Sequence, residues 1–236
     1  KHIVTMSLTS AIGFVALSVV DLDDMLFISM LGIDELAAAI GFAGTILFMT
    51  TSISIGMAIA GGAMVARSLG EKKPKLATEL LTHVLIVGVV FAVIFASIIY
   101  LNLYGLTALI GATGNTQELA VSYLKILIPS MPIMLVGIVA SAALRSHGAA
   151  KLSMVVILVA GVVNAILDPI FIFVLNMGLD GAAWASVVSR MAMASVAVWY
   201  VVRRFGGFSG LSLMAMRRDL RPIAAIAIPA MLANIA

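Results

Sequence analysis

The stretch LSMVVILVAGVVNAILDPIFIFVL, Leu152 to Leu175, decides how the rest of the chain is read, because it carries a single charged residue, Asp168. About 20 apolar residues in a helix cross the hydrocarbon core of a bilayer. Backbone groups in lipid have no water to bond, so a run of this kind is helical. Similar runs extend roughly from Ile3 to Leu31, Leu36 to Ala66, Ala77 to Leu101, Glu118 to Leu144 and Gly181 to Val202, and Ile223 opens a seventh. The expected fold is all-α: a polytopic membrane helix bundle of six transmembrane helices plus the start of another.

Composition agrees. Of 236 residues, 63% are hydrophobic and 11% charged, with a mean hydropathy of +1.20. An ordinary soluble domain carries roughly 25% charged residues, so a water-facing globule is excluded. There is no cysteine, which removes disulfides, thiolate metal sites and cysteine nucleophiles. His2, His83 and His147 lie far apart with no zinc-like spacing, and no Walker A sequence is present, so neither a metal centre nor ATP hydrolysis is expected.

The net charge of +3 and pI near 9.4 come from loops. Lys1 precedes the first span; Arg67, Lys72, Lys73 and Lys75 fall in the second loop; Arg145 and Lys151 fall in the fourth. Arg203, Arg204, Arg217, Arg218 and Arg221 fall in the sixth, and only Lys125 and Arg190 lie inside spans. Basic residues accumulate on the cytoplasmic side, so the N-terminus is expected there. Trp199 and Tyr200 before the Arg203–Arg204 pair, Tyr100 and Tyr104 around the third loop, and Trp184 match the aromatic belts of a bilayer interface. Nucleic-acid binding has no support; the partners expected are the bilayer and small organic substrates.

The ends read as cuts, with Lys1 at the start and Ala236 inside an apolar run. The organisation expected is a six-helix lobe over 1–205, a cytoplasmic linker over 206–220, and the start of a second lobe over 221–236. Shifting the chain by 220 residues places RPIAAIAIPAMLANIA, from Arg221, over KHIVTMSLTSAIGFVA, from Lys1, as a weak parallel repeat.

Two carboxylates stand at candidate membrane depth, where each costs about 2.5 to 3.5 kcal/mol on insertion scales. Asp24 lies ten residues before Asp34 and Asp168 eight before Asn176, which is about 15 and 12 Å of helix. Hydropathy alone equally allows Asp21, Asp23 and Asp24 to end a helix at Val20 and start a loop. Asn164 stands one turn before Asp168 on the same face, and Pro169 should free or tilt the carbonyl of Ala165. Ser186 comes to comparable depth on the return helix, where its hydroxyl either joins these oxygens or bonds back to its own helix. Asp, Asn, a hydroxyl and a loosened carbonyl suit a proton or a hard cation such as Na+. Arg190, four residues after Ser186, either snorkels or reaches the carboxylates. Pro129 and Pro132 should bend the fourth span, and Ser52, Gly56 and Ala60, with Ala58, Gly62 and Ala66, allow close helix packing in the second.

Four stretches in this order resemble the multidrug and toxic compound extrusion (MATE) family: DDMLFISMLGIDELAAAIG (23 to 41), ISIGMAIAGGAMVARSLG (53 to 70), NAILDPIFIF (164 to 173) and GAAWASVVSR (181 to 190). The resemblance covers essentially the whole chain. It implies the N-terminal lobe of a two-lobe, cation-coupled antiporter exporting amphipathic or cationic organic compounds, with no enzyme activity and no cofactor beyond the coupling ion, Na+ or H+. The family's first-helix acid falls on Asp24, its Asn-x-x-x-Asp pattern on Asn164 and Asp168, and its sixth-helix Thr on Ser186. It also implies an inner-membrane location. The first-helix Pro of many relatives falls near Thr9, a departure that the repeat's Pro229 does not share. A lipid-linked oligosaccharide flippase of related architecture is the alternative. An intramembrane aspartyl protease is a more distant rival, because neither Asp stands in a Tyr-Asp or Gly-x-Gly-Asp setting.

Overall fold

The computed structural model describes residues 27–28, 30, 33–210 and 213–235. Among these the regular structure is entirely helical. Helix α1 (Asp34–Gly70) is 37 residues long, about 55 Å, and so exceeds the hydrocarbon core. Next come α2 (Pro74–Leu101), a short α3 (Leu103–Leu109) and α4 (Gly114–Leu127). A 3₁₀ turn (Ile128–Ser130) joins α4 to α5 (Met131–Ser146). Helix α6 (Ala150–Pro169) continues into a π-helical turn (Ile170–Val174), followed by α7 (Gly178–Phe205) and α8 (Leu213–Ile235).

Five spans are long and apolar enough to cross a membrane: α1, α2, the composite α4–α5, the composite α6–π turn, and α7. They coincide with the second to sixth spans expected from hydropathy, within a few residues at each end. The first expected span lies outside the described residues, apart from fragments at its end. Helix α8 begins at Leu213, ahead of Arg221, so residues 213–220 are helical. The short α3 in the third loop is an addition that hydropathy did not indicate, since seven residues are too few to produce a span-length signal.

The turns have local causes. Lys72 adopts a left-handed φ of 59°, the amide of Lys73 donates to the carbonyl of Ser68 at 2.9 Å, and Pro74 supplies the first turn of α2 without wasting an amide hydrogen. This tight reversal carries the basic cluster anticipated for the second loop.

Helix α1 is central and packs against α5, α8, α2 and α4, while α7 packs against α6, α5 and α4. Side chains such as Val90, Phe91, Val93, Ile94 and Ile98 on α2 stay exposed, which fits a lipid-facing surface better than a water-facing one. Ser52, Gly56 and Ala60 are buried, as close packing requires, whereas the second stripe runs from buried Ala58 to exposed Ala66. A Cβ at Gly56 would collide with Cγ of Met231 and stand 2.9 Å from the carbonyl oxygen of Ala227, so the glycine lets α8 reach the α1 backbone. On the other side, Ser146 Oγ donates to the Gly62 carbonyl at 2.8 Å and ties α5 to α1.

Where a bend is expected at Pro129 and Pro132, the helix tightens into the 3₁₀ turn. Arg190 Nη1 reaches it from α7, donating to the carbonyl of Leu127 at 3.2 Å and to Ser130 Oγ at 2.7 Å. Ser130 Oγ in turn donates to the Leu127 carbonyl at 2.7 Å. One half-buried guanidinium therefore helps satisfy backbone loosened where two prolines lack amide hydrogens.

Candidate cation site

Asn164 and Asp168 lie one turn apart near the end of α6, 1% and 0% exposed. Asn164 Nδ2 donates to Asp168 Oδ1 at 3.2 Å. With its amide hydrogens turned to the carboxylate, Asn164 presents its own oxygen elsewhere, and Oδ1 is buried with no hydrogen-bond partner among the described residues. Such an acceptor costs about 1–3 kcal/mol when left unsatisfied. A small cation is one partner that satisfies it, and the Asn and Asp oxygens form the hard donor set that Na+ or a proton takes.

The helix is irregular beside this pair. Pro169 ends the α segment, and the chain widens into the π turn, whose exit is held by the amide of Leu175 donating to the Ile170 carbonyl at 2.9 Å. The expected disturbance of the α6 ladder thus occurs next to Asp168, displaced toward the following turn. Gly181 at the start of α7 packs directly on this segment: a Cβ there would stand 2.7 Å from the carbonyl carbon of Phe171 and 2.8 Å from its oxygen. Backbone meets backbone, and the π turn is wedged in place.

Two contacts fix the register of the antiparallel α6–α7 pair. Ser189 Oγ donates to the Ala160 carbonyl at 2.7 Å, and Gly181 faces Phe171 and Ile172. Ser186 lies between these contacts and is carried to the level of Asn164, where it is half-buried. Asp24 lies outside the described residues. The structure therefore brings Asn164 and Asp168 into contact and sets Ser186 level with Asn164. Asp180, near the start of α7, accepts from Ser122 Oγ at 2.9 Å and ties α4 to that end of the site.

Sequence reasoning missed Ser189 and Ser130, whose hydroxyls lock α7 to α6 and receive Arg190. Nothing in a one-dimensional pattern distinguishes them from other helix serines. It also placed Lys125 without a role; its ammonium stands 5.6 Å from the ring centre of Tyr104, as in a cation–π contact.

A family model supplies the decisive comparison: MatE matches residues 9–170. The chain belongs to the MatE family. This MatE chain is 26% identical over its whole length to an FAD transporter of Shewanella oneidensis, of which it covers 53%. It is 25% identical over its whole length to the multidrug export protein MepA of Staphylococcus aureus, covering 52% of it. Among solved structures, it matches a MOP superfamily transporter from Pyrococcus furiosus with a TM-score of 0.90 and 25% identity, covering 100% of this chain and 52% of that one. An outward-facing multidrug resistance MATE transporter gives the same TM-score of 0.90, and an inward-facing one gives 0.82. The chain spans about half the length of these relatives and corresponds to one lobe of a two-lobe transporter fold.

Proposed function

We propose that this MatE chain is the N-terminal lobe of a cation-coupled antiporter that exports amphipathic or cationic organic compounds. In this reading Asp24, Asn164, Asp168 and Ser186 bind the coupling ion, Na+ or H+, and the C-terminal lobe completes the transporter. The observation that carries it is the buried Asn164–Asp168 pair, with its unsatisfied Asn164 oxygen beside a π-distorted helix, in a chain whose relatives include the exporter MepA. Loading a cation neutralises Asp168 and engages the Asn164 oxygen, which changes the preferred packing of the π turn against α7. An ion that binds the two packings unequally shifts the balance between them, and cargo affinity shifts with it.

The proposal also takes residues 1–205 as the lobe, 206–220 as a cytoplasmic linker and 221–236 as the start of the next lobe. It sets the N-terminus in the cytoplasm and the protein in the inner membrane, supported by the basic α1–α2 turn and the Arg203–Arg204 pair on one side.

The test is export of a cationic dye from vesicles holding the full-length transporter, under separate Na+ and pH gradients. Asp168→Asn is expected to fold and to lower gradient-driven export at least ~10-fold, since it removes the titratable, cation-attracting charge. Undiminished export by Asp168→Asn under both gradients overturns the assignment.

A further inference from the structure

Outside the Asn164–Asp168 pair, three metal-ligating side chains converge from elements far apart in the sequence. Glu79 and His83 stand one turn apart on α2, and Asp219 comes from α8. One ligand atom of each lies within 4.8 Å of the other two. His83 Nδ1 contacts Asp219 Oδ2 at 2.8 Å, across a separation of 136 residues. His83 is fully buried and Asp219 is 5% exposed.

Two features of the cluster call for a cation. The first is the buried His83 Nδ1–Asp219 Oδ2 contact, which already sets an imidazole nitrogen beside a carboxylate oxygen, two of the ligand types a divalent ion takes. The second is the approach of two carboxylates, half-buried Glu79 and buried Asp219, whose like charges a cation between them would offset. Arg218 Nε offsets part of this by donating to Asp219 Oδ1 at 3.1 Å, and it leaves Oδ2 to the cluster.

We propose that Glu79, His83 and Asp219 form a site for a divalent transition-metal ion, with Zn2+ as the natural probe, that clasps α8 onto α2. One imidazole nitrogen and two carboxylate oxygens suit Zn2+ at distances of about 2.0–2.2 Å, whereas a hard ion such as Na+ prefers oxygen alone. The ligand atoms, now within 4.8 Å of one another, must close on the ion to reach those distances, and Glu79, the half-buried member, is the one with room to move. Glu79 also lines an open cavity of about 440 Å³ with Lys75, Thr78, Gly206, Ser209 and Gly210, which supplies an entry path and a water for the fourth position. Lys75 is the competing charge in that cavity, so binding should strengthen when it is neutralised. The 206–210 segment is anchored beside the site, where the Ser209 amide donates to Thr82 Oγ1 at 3.0 Å. A bound ion joins the first helix after this segment to the preceding bundle, which is where relative movement of two lobes would be restrained.

The experiment is Zn2+ titration of the chelator-stripped, tag-free full-length protein in detergent, followed by equilibrium dialysis and thermal unfolding, with Co2+ absorption reporting coordination geometry. Expected are one saturable equivalent lost in the variants, tetrahedral Co2+ bands and a rise in unfolding temperature with Zn2+. Glu79→Gln and His83→Gln should each weaken affinity by ~10-fold or more, while His147→Gln should leave it unchanged. Glu79→Gln alters a half-buried side chain and should fold even if His83→Gln does not. Absence of saturable binding, binding unaltered by Glu79→Gln, or loss in His147→Gln alone would each overturn the proposal.

Discussion

Asn164 turns its amide group onto Asp168 at 3.2 Å, and its own carbonyl oxygen is buried with no partner among the described residues. The neutral amide solvates the carboxylate without cancelling its charge. The arrangement keeps an acceptor in reserve beside a carboxylate, at the point where α6 loses its regular hydrogen-bond ladder.

Asn164→Ala removes a donor from a buried carboxylate. It should cost about 1–3 kcal/mol of stability, and it should reduce gradient-driven export more than it reduces the amount of folded protein. Denaturation in detergent and dye export from vesicles, measured on the same preparation, check both parts.

Gly181→Ala places a methyl group 2.7 Å from the carbonyl carbon of Phe171, where only backbone can give way. Overpacking of this kind costs about 1–3 kcal/mol, so a lowered unfolding temperature is expected. Gly44→Ala, on open surface of α1, is the control that should lack this penalty.

Arg190→Met keeps much of the side-chain volume but withdraws the donor from Leu127 and Ser130. Hydrogen bonds from charged groups contribute about 1.5–3 kcal/mol, and a loss of that order is expected. Faster amide exchange around 127–131 would distinguish a loosened kink from general destabilisation.

Glu71 sits in the exposed α1–α2 turn, bonded to Lys73 at 2.9 Å and to Arg67 at 3.1 Å. The Lys73 hydrogen bond, followed by that of Arg67, holds its carboxyl below the ordinary 4.5. The bridges are therefore present above that value and vanish as the pH falls through the lowered one. Being exposed, they order the turn more than they stabilise the fold. Glu71→Gln should leave the unfolding temperature unchanged while speeding tryptic cleavage after Lys72 at neutral pH.

Much of the architecture was legible in one dimension because a bilayer imposes a length threshold on apolar runs. The spans covering Leu36 to Ala66 and Leu152 to Leu175 appear as α1 and α6 with only their ends adjusted. Asn164 and Asp168 were legible as a pair for a similar reason, since a four-residue spacing within one helix is a spatial relation that the sequence states directly. Arg190 was not: its contacts with the Leu127 carbonyl and Ser130 Oγ depend on a 3₁₀ turn two helices away, which no spacing along α7 foretells.

By itself, then, the sequence determined the helical character, the span boundaries and the basic side of the molecule, because these follow from local hydropathy and from intrahelical spacing. Only the tertiary structure decided that Gly181 wedges the π turn, that Ser189 sets Ser186 level with Asn164, and that His83 meets Asp219. Those relations depend on the register and approach of different helices, and helix-to-helix register depends on side-chain interlocking that leaves no periodic trace along the chain.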